Sequence, residues 1–114
     1  MQPSSSNKDK VKANTWRAYD YRLNGVVDNG VIASEPTFQF RSDGKMYFSQ
    51  INPVYRDTLS YTFIDDNDVK LTRSSLPTYF ATLKIVRLTD SDFDFDLSDN
   101  QKPSDVDSYK TTKQ

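Results

Sequence analysis

Seven segments of this chain alternate apolar and polar side chains with a period of two, and turn-forming residues separate them. They run Trp16–Leu23, Thr37–Arg41, Lys45–Ile51, Leu59–Ile64, Asp68–Arg73, Tyr79–Leu88 and Phe93–Leu97. Successive side chains of a strand point to opposite faces, so each segment can offer one face to a core and the other to water. Strand after strand at this short spacing is the signature of an antiparallel sandwich or barrel. Apolar stripes at helical spacing are absent. Pro36 suits the start of a strand because proline cannot donate to a ladder.

The turns set the registers. A three-residue loop Ser42-Asp43-Gly44 places Phe40 opposite Met46 and Phe38 opposite Phe48, four apolar side chains on one face. A two-residue Asp-Gly loop would pair Phe38 with Ser49, so the longer loop is favoured, with Gly44 in the left-handed conformation it requires. The same reasoning at Asp65-Asp66-Asn67 pairs Phe63 with Val69 and Tyr61 with Leu71, with Asn67 taking the left-handed position. The last hairpin stays open. Either Val86 and Leu88 or Leu83 and Ile85 share a face with Phe93 and Phe95, and a bulge would reconcile the two.

At 114 residues the chain is one domain with a modest core, and its apolar content of 35% makes that core lean. Seven Tyr, seven Phe and Trp16 offset this, because each ring buries a large area. The ends read as solvated segments: residues 1–13 as a flexible tether, residues 101–114 as a polar tail that could supply one short terminal strand but for which disorder is expected. The barrel domain then occupies residues 14–100. A net charge of −1 lacks the basic footprint of a nucleic-acid binder. Without Cys or His there is no thiol nucleophile, disulfide, Cys/His zinc site or histidine base. No cofactor is expected, and an enzyme is not. No apolar run approaches the ~18 residues of a membrane helix.

The stretch TDSDFDFDLSDN, residues 89–100, looks most like chemistry. An EF-hand calcium loop needs Gly at position six and Glu at position twelve. Counting from Asp90 these are Phe95 and Gln101, and counting from Asp92 they are Leu97 and Pro103. The better reading is a strand with Phe93, Phe95 and Leu97 inward and Asp92, Asp94 and Asp96 outward; no metal site is assigned. Asp65-Asp66-Asn67-Asp68 reads as a turn, because these side chains bond nearby backbone amides. Among six arginines, Arg87 is the first candidate to line a cavity, since it shares the face of Leu83 and Ile85 in one register. Arg22, which shares the parity of Trp16, is the second. An inward Arg could hold a ligand carboxylate or sulfate. Tyr61 and Tyr79 are the tyrosine candidates for the barrel interior or mouth.

Asn14-Thr15-Trp16 resembles the Gly-x-Trp opening of lipocalins, with Asn in place of Gly. The order WRAYDYRLNG, TFQFRSDGKMYFS, YTFIDDNDVKLT, ATLKIVRLTDSDFDFDL resembles the small lipocalin-like domains of secreted and lipid-anchored bacterial proteins of Bacteroidetes type, over roughly residues 14–98. The resemblance implies an all-β, antiparallel meander barrel of seven or eight strands, closed or with one open seam, plugged at one end by Trp16. It also implies an exported protein, in the periplasm or on the outer membrane or cell surface as a lipoprotein, whose polar leader is a tether. The expected interior is Phe38, Phe40, Met46, Phe48, Tyr61, Phe63, Leu71, Leu83, Ile85, Phe93, Phe95 and Leu97. The expected function is non-catalytic binding of a small, largely apolar ligand in the barrel mouth. The alternative is a cell-envelope module that docks a protein or glycan from a filled barrel.

Overall fold

The computed structural model describes residues 7–51, 54–73 and 76–114, with Pro77 by its backbone alone. In chain order the elements are α1 (Asn7–Lys12), β1 (Thr15–Leu23), β2 (Val26–Val27), α2 (Asn29–Ala33), β3 (Thr37–Phe40), β4 (Lys45–Ile51), β5 (Val54–Phe63), β6 (Asp68–Arg73), β7 (Leu76–Leu88), β8 (Asp92–Asp99) and β9 (Asp107–Lys113). Strands β3 to β9 each pair antiparallel with the next, and β1 pairs with both β3 and β9. Eight strands therefore close a barrel without a seam, and β2 is a short extra strand on β1. Closure removes the unpaired edges that an open sheet would present.

The hairpin registers follow the apolar pattern. Phe38 lies opposite Phe48 and Phe40 opposite Met46, with Gly44 at φ 82°. Tyr61 lies opposite Leu71 and Phe63 opposite Val69. The second turn reaches its register by another route than expected. Asn67 is not in the left-handed region; instead Asp65 Oδ1 accepts the backbone N–H of both Asn67 and Asp68 at 2.8 Å. The open question about the last hairpin is resolved by a bulge at Val86. Leu83 faces Leu97 and Ile85 faces Phe95 before it, and Leu88 faces Phe93 after it. Val86 is left outside, 61% exposed.

All the residues expected in the interior are buried or packed against the core. Val11, Ala18, Tyr21, Leu59, Val69 and Ala81 join them. The interior is a continuous aromatic stack, with Phe38 edge-on to Phe95 at 5.2 Å and Phe95 stacked on Tyr109 at 5.3 Å. Such pairs add about 0.5–1.5 kcal/mol each beyond the area they bury.

Both ends of the chain differ from the tails read in the sequence. Residues 1–6 of the expected tether lie outside the described residues. Residues 7–12 form α1, and Val11 is fully buried beneath the barrel. At the other end, β9 is the strand that closes the barrel. Its composition is polar because the inward positions Asp107, Tyr109 and Thr111 include a single large aromatic, and Thr111 satisfies its buried hydroxyl by donating to Phe93 O at 2.6 Å. One inward aromatic and one self-satisfied threonine suffice for a strand whose main work is backbone pairing.

The acidic strand β8 behaves as alternation requires. Phe93 and Phe95 are essentially buried, while Asp92, Asp94 and Asp96 alternate with them on the outer face. Among the described residues, no group of three or more acidic side chains is placed to hold a metal ion. Asp94 lies opposite Arg87 and Lys110, yet its Oδ1 is buried without a hydrogen-bond partner. Burial raises its pKa above the usual carboxylate value, Lys110 and Arg87 pull it down, and Asp92 and Asp20 push it up further. A raised carboxylate pKa means that ionising Asp94 opposes folding, an effect absent at low pH and developed at neutrality. The Asp94→Asn variant should therefore gain in melting temperature relative to the parent as pH rises from 3 to 7. Parallel thermal melts across that range provide the check.

Candidate functional site

Strand direction separates two unlike ends. The start of β1, the turns at 41–44, 64–67 and 89–91, and α1 gather at one end. This end is closed. Trp16 is fully buried, donates Nε1–H to Val11 O at 2.9 Å and meets Phe93 edge-on at 5.4 Å. The Asn7 side chain ties α1 to the β5–β6 turn by donating to Asp66 O at 2.7 Å. Trp16 therefore sits fully buried at this closed end, between α1 and the barrel interior.

The opposite end is open. There a cleft of about 150 Å³ is lined by Phe38, Met46, Phe48, Tyr55, Asp57, Leu59, Leu71, Arg73, Tyr79, Leu97 and Tyr109. Its walls are aromatic and aliphatic, with one ion pair among them: Arg73 Nη2 lies 2.5 Å from Asp57 Oδ2. The Arg73 guanidinium also lies over the Tyr79 ring, 5.1 Å from its centroid. Arg73 Nε is buried without a hydrogen-bond partner. Burial raises the pKa of the Tyr79 hydroxyl; Asp99 adds to the rise, Arg73 opposes it, and Asp57 and Asp107 add less. Tyr109 is pushed up by burial first and by Asp107 second. Both phenols are neutral hydrogen-bonding groups at physiological pH.

The sequence candidates divide sharply. Tyr79 lines the cleft. Tyr61 is interior but belongs to the closed half, where its hydroxyl donates to Arg41 O at 2.5 Å. Arg87 and Arg22 point away from the interior, contrary to expectation, and one mechanism explains both. A bulge adds a residue to a strand and reverses the alternation beyond it. The bulge at Val86 turns Arg87 outward, where it lies 3.8 Å from Asp92. A bulge at Tyr19, between Ala18 and Asp20 in the register with β9, brings Tyr21 inward and turns Arg22 out beside Asp20 at 3.3 Å.

The inward arginine is Arg73, and its partner Asp57 was not singled out either. Both were legible by parity. Arg73 follows Val69 and Leu71 at steps of two on β6, and Asp57 precedes Leu59 and Tyr61 at steps of two on β5. The pairing of β6 with β7 shifts register between Thr72 and Arg73, but the extra residues lie on β7, so alternation along β5 and β6 themselves carries to Asp57 and Arg73.

Among the described residues, no helix is long and apolar enough to cross a membrane. No protein-family model matches the chain, and no curated protein matches it.

Proposed function

We propose that this protein is a non-catalytic binding domain that holds one small, largely apolar molecule in the cleft at the open end of the barrel. The observation that carries the reading is the cleft itself: aromatic and aliphatic side chains from seven strands converge on one opening, and the cation that lines it, Arg73, is already paired. The paired Arg73 argues against the carboxylate or sulfate that an unpaired inward Arg would favour. Volume sets the size of the ligand. An apolar cavity of about 150 Å³ accommodates a molecule such as benzene, so the cleft suits a single ring or a short branched chain rather than a long acyl tail. At about 0.6–0.8 kcal/mol per heavy atom, between the bounds for the best tiny ligands and for drug-sized ones, about seven heavy atoms give a Kd of about 0.1–1 mM.

The test is a titration with benzyl alcohol followed by amide chemical shifts. Saturable shifts centred on Phe48, Tyr79 and Leu97 are expected, and Leu97→Trp should abolish them while the protein still melts cooperatively. Shifts that never saturate, or that ignore the cleft, would overturn the reading. The second reading, docking of an envelope protein or glycan with no internal ligand, rests on Ile51 and Val54. These cross-strand partners are 60% and 75% exposed. A partner that binds the protein and loses affinity on Val54→Lys, with cleft probes leaving it unaffected, would favour this alternative.

A further inference from the structure

The open end holds a second cavity beside the cleft, and its chemistry bears on the ligand's charge. Asp99 lies two residues beyond Leu97 on β8, and Asp107 lies two residues before Tyr109 on β9. Leu97 and Asp107 are cross-strand partners. Alternation therefore places both carboxylates on the inner face, just above the apolar cleft. With Tyr21, Leu23, Gln101, Lys102 and Asp105 they line a groove of about 370 Å³.

The cleft and the groove adjoin through one aromatic pair. Tyr109 lines the cleft and Tyr21 lines the groove, and their ring centroids are 4.8 Å apart. The groove sets three carboxylates against the single ammonium of Lys102. The cleft contributes no balancing charge, because Arg73 and Asp57 neutralise one another. Asp99 uses Oδ1 to accept the backbone N–H of Gln101 and Lys102, and Asp107 uses Oδ1 to accept the Tyr21 hydroxyl. Among the described residues the second oxygen of each accepts no hydrogen bond. A molecule seated in the cleft thus meets an apolar floor at one end and a negative, aromatic-edged groove at the other.

We propose that the ligand is a small organic cation: one apolar ring or branched chain bearing a primary amine, its body in the cleft and its ammonium directed to Asp99 and Asp107. The proposal rests on the cleft being the binding site and adds the charge of the ligand to that reading. The rings of Tyr21 and Tyr109 favour the same charge, since aromatic faces attract cations. A carboxylate in this position would be repelled by the same groups.

Three probes of one shape separate the possibilities: benzylamine, benzyl alcohol and benzoate, each titrated at pH 7 with amide shifts as the readout. Benzylamine should bind about tenfold more tightly than benzyl alcohol, with benzoate weakest, as expected for one unit charge near partly solvated carboxylates. In the Asp99→Asn/Asp107→Asn variant the ratio of amine to alcohol affinity should fall to within about twofold. Should that variant fail to fold, the parent protein supplies the same information: raising NaCl from about 20 mM to 500 mM should erode the amine preference and leave the alcohol little changed. Benzoate or benzyl alcohol binding as tightly as benzylamine, or a preference indifferent to both the variant and salt, would overturn the cationic ligand while leaving the cleft as a binding site. Failure of all three probes would overturn both.

Discussion

Ending the chain after Val106 should abolish the folded state. The truncated protein is expected to show a far-ultraviolet spectrum without strand signal, no cooperative melt and broad proteolytic susceptibility. The loss is large because β9 has two neighbours. It pairs with β1 through seven residue pairs and with β8 through six. A net contribution of about 1 kcal/mol per ladder hydrogen bond over two ladders is comparable to the whole stability of about 5–15 kcal/mol typical of a small domain. The core suffers as well. Tyr109 contacts Phe38, Phe95 and Tyr21 at once, and its removal leaves three rings facing a gap. A disordered tail would behave oppositely: its deletion would leave the melting temperature unchanged. A cooperative melt within a few degrees of the parent would show that β9 is dispensable.

The contrast explains how much of the molecule could be read from residues alone. Strands with two or more large apolar side chains on one face were legible in both position and register, as Phe38 and Phe40 against Phe48 and Met46 show. Strand β9 was not, because Tyr109 and Thr111 are a faint signal and the strand depends on partners remote in sequence. Helix α1 was hidden for a similar reason: Val11 is its only buried residue. The site was lost through parity. Alternation assigns Arg22 and Arg87 to the interior, and it would have been right without one added residue in each strand. Bulges carry little sequence signature, since Tyr19 and Val86 are ordinary strand residues whose side chains happen to be stranded outside. Arg73 and Asp57 follow unbroken alternation and were within reach of the same rule, had it been carried to the strand ends.

Trp16→Ala should destabilise the protein by about 3–5 kcal/mol, the range for removing a fully buried large aromatic side chain. Equilibrium urea unfolding, compared with the parent, measures it. Three contributions converge on this residue. Its ring packs edge-on against Phe93, which itself meets Phe40 at 6.1 Å and Phe95 at 4.7 Å. Its Nε1–H satisfies the carbonyl of Val11 at a buried position, so truncation leaves an acceptor without a partner. That bond also secures α1, which the Asn7 side chain ties to the exposed β5–β6 turn. Trp16→Phe separates these terms: it retains most of the ring and loses the donor, and should cost about 1–3 kcal/mol with α1 amides gaining exchange before the barrel strands do. The cleft lies at the opposite end of the barrel, so Trp16→Phe should leave benzyl alcohol binding intact. Loss of probe binding in a folded Trp16→Phe protein would mean that the two ends are coupled through the aromatic stack and are not independent.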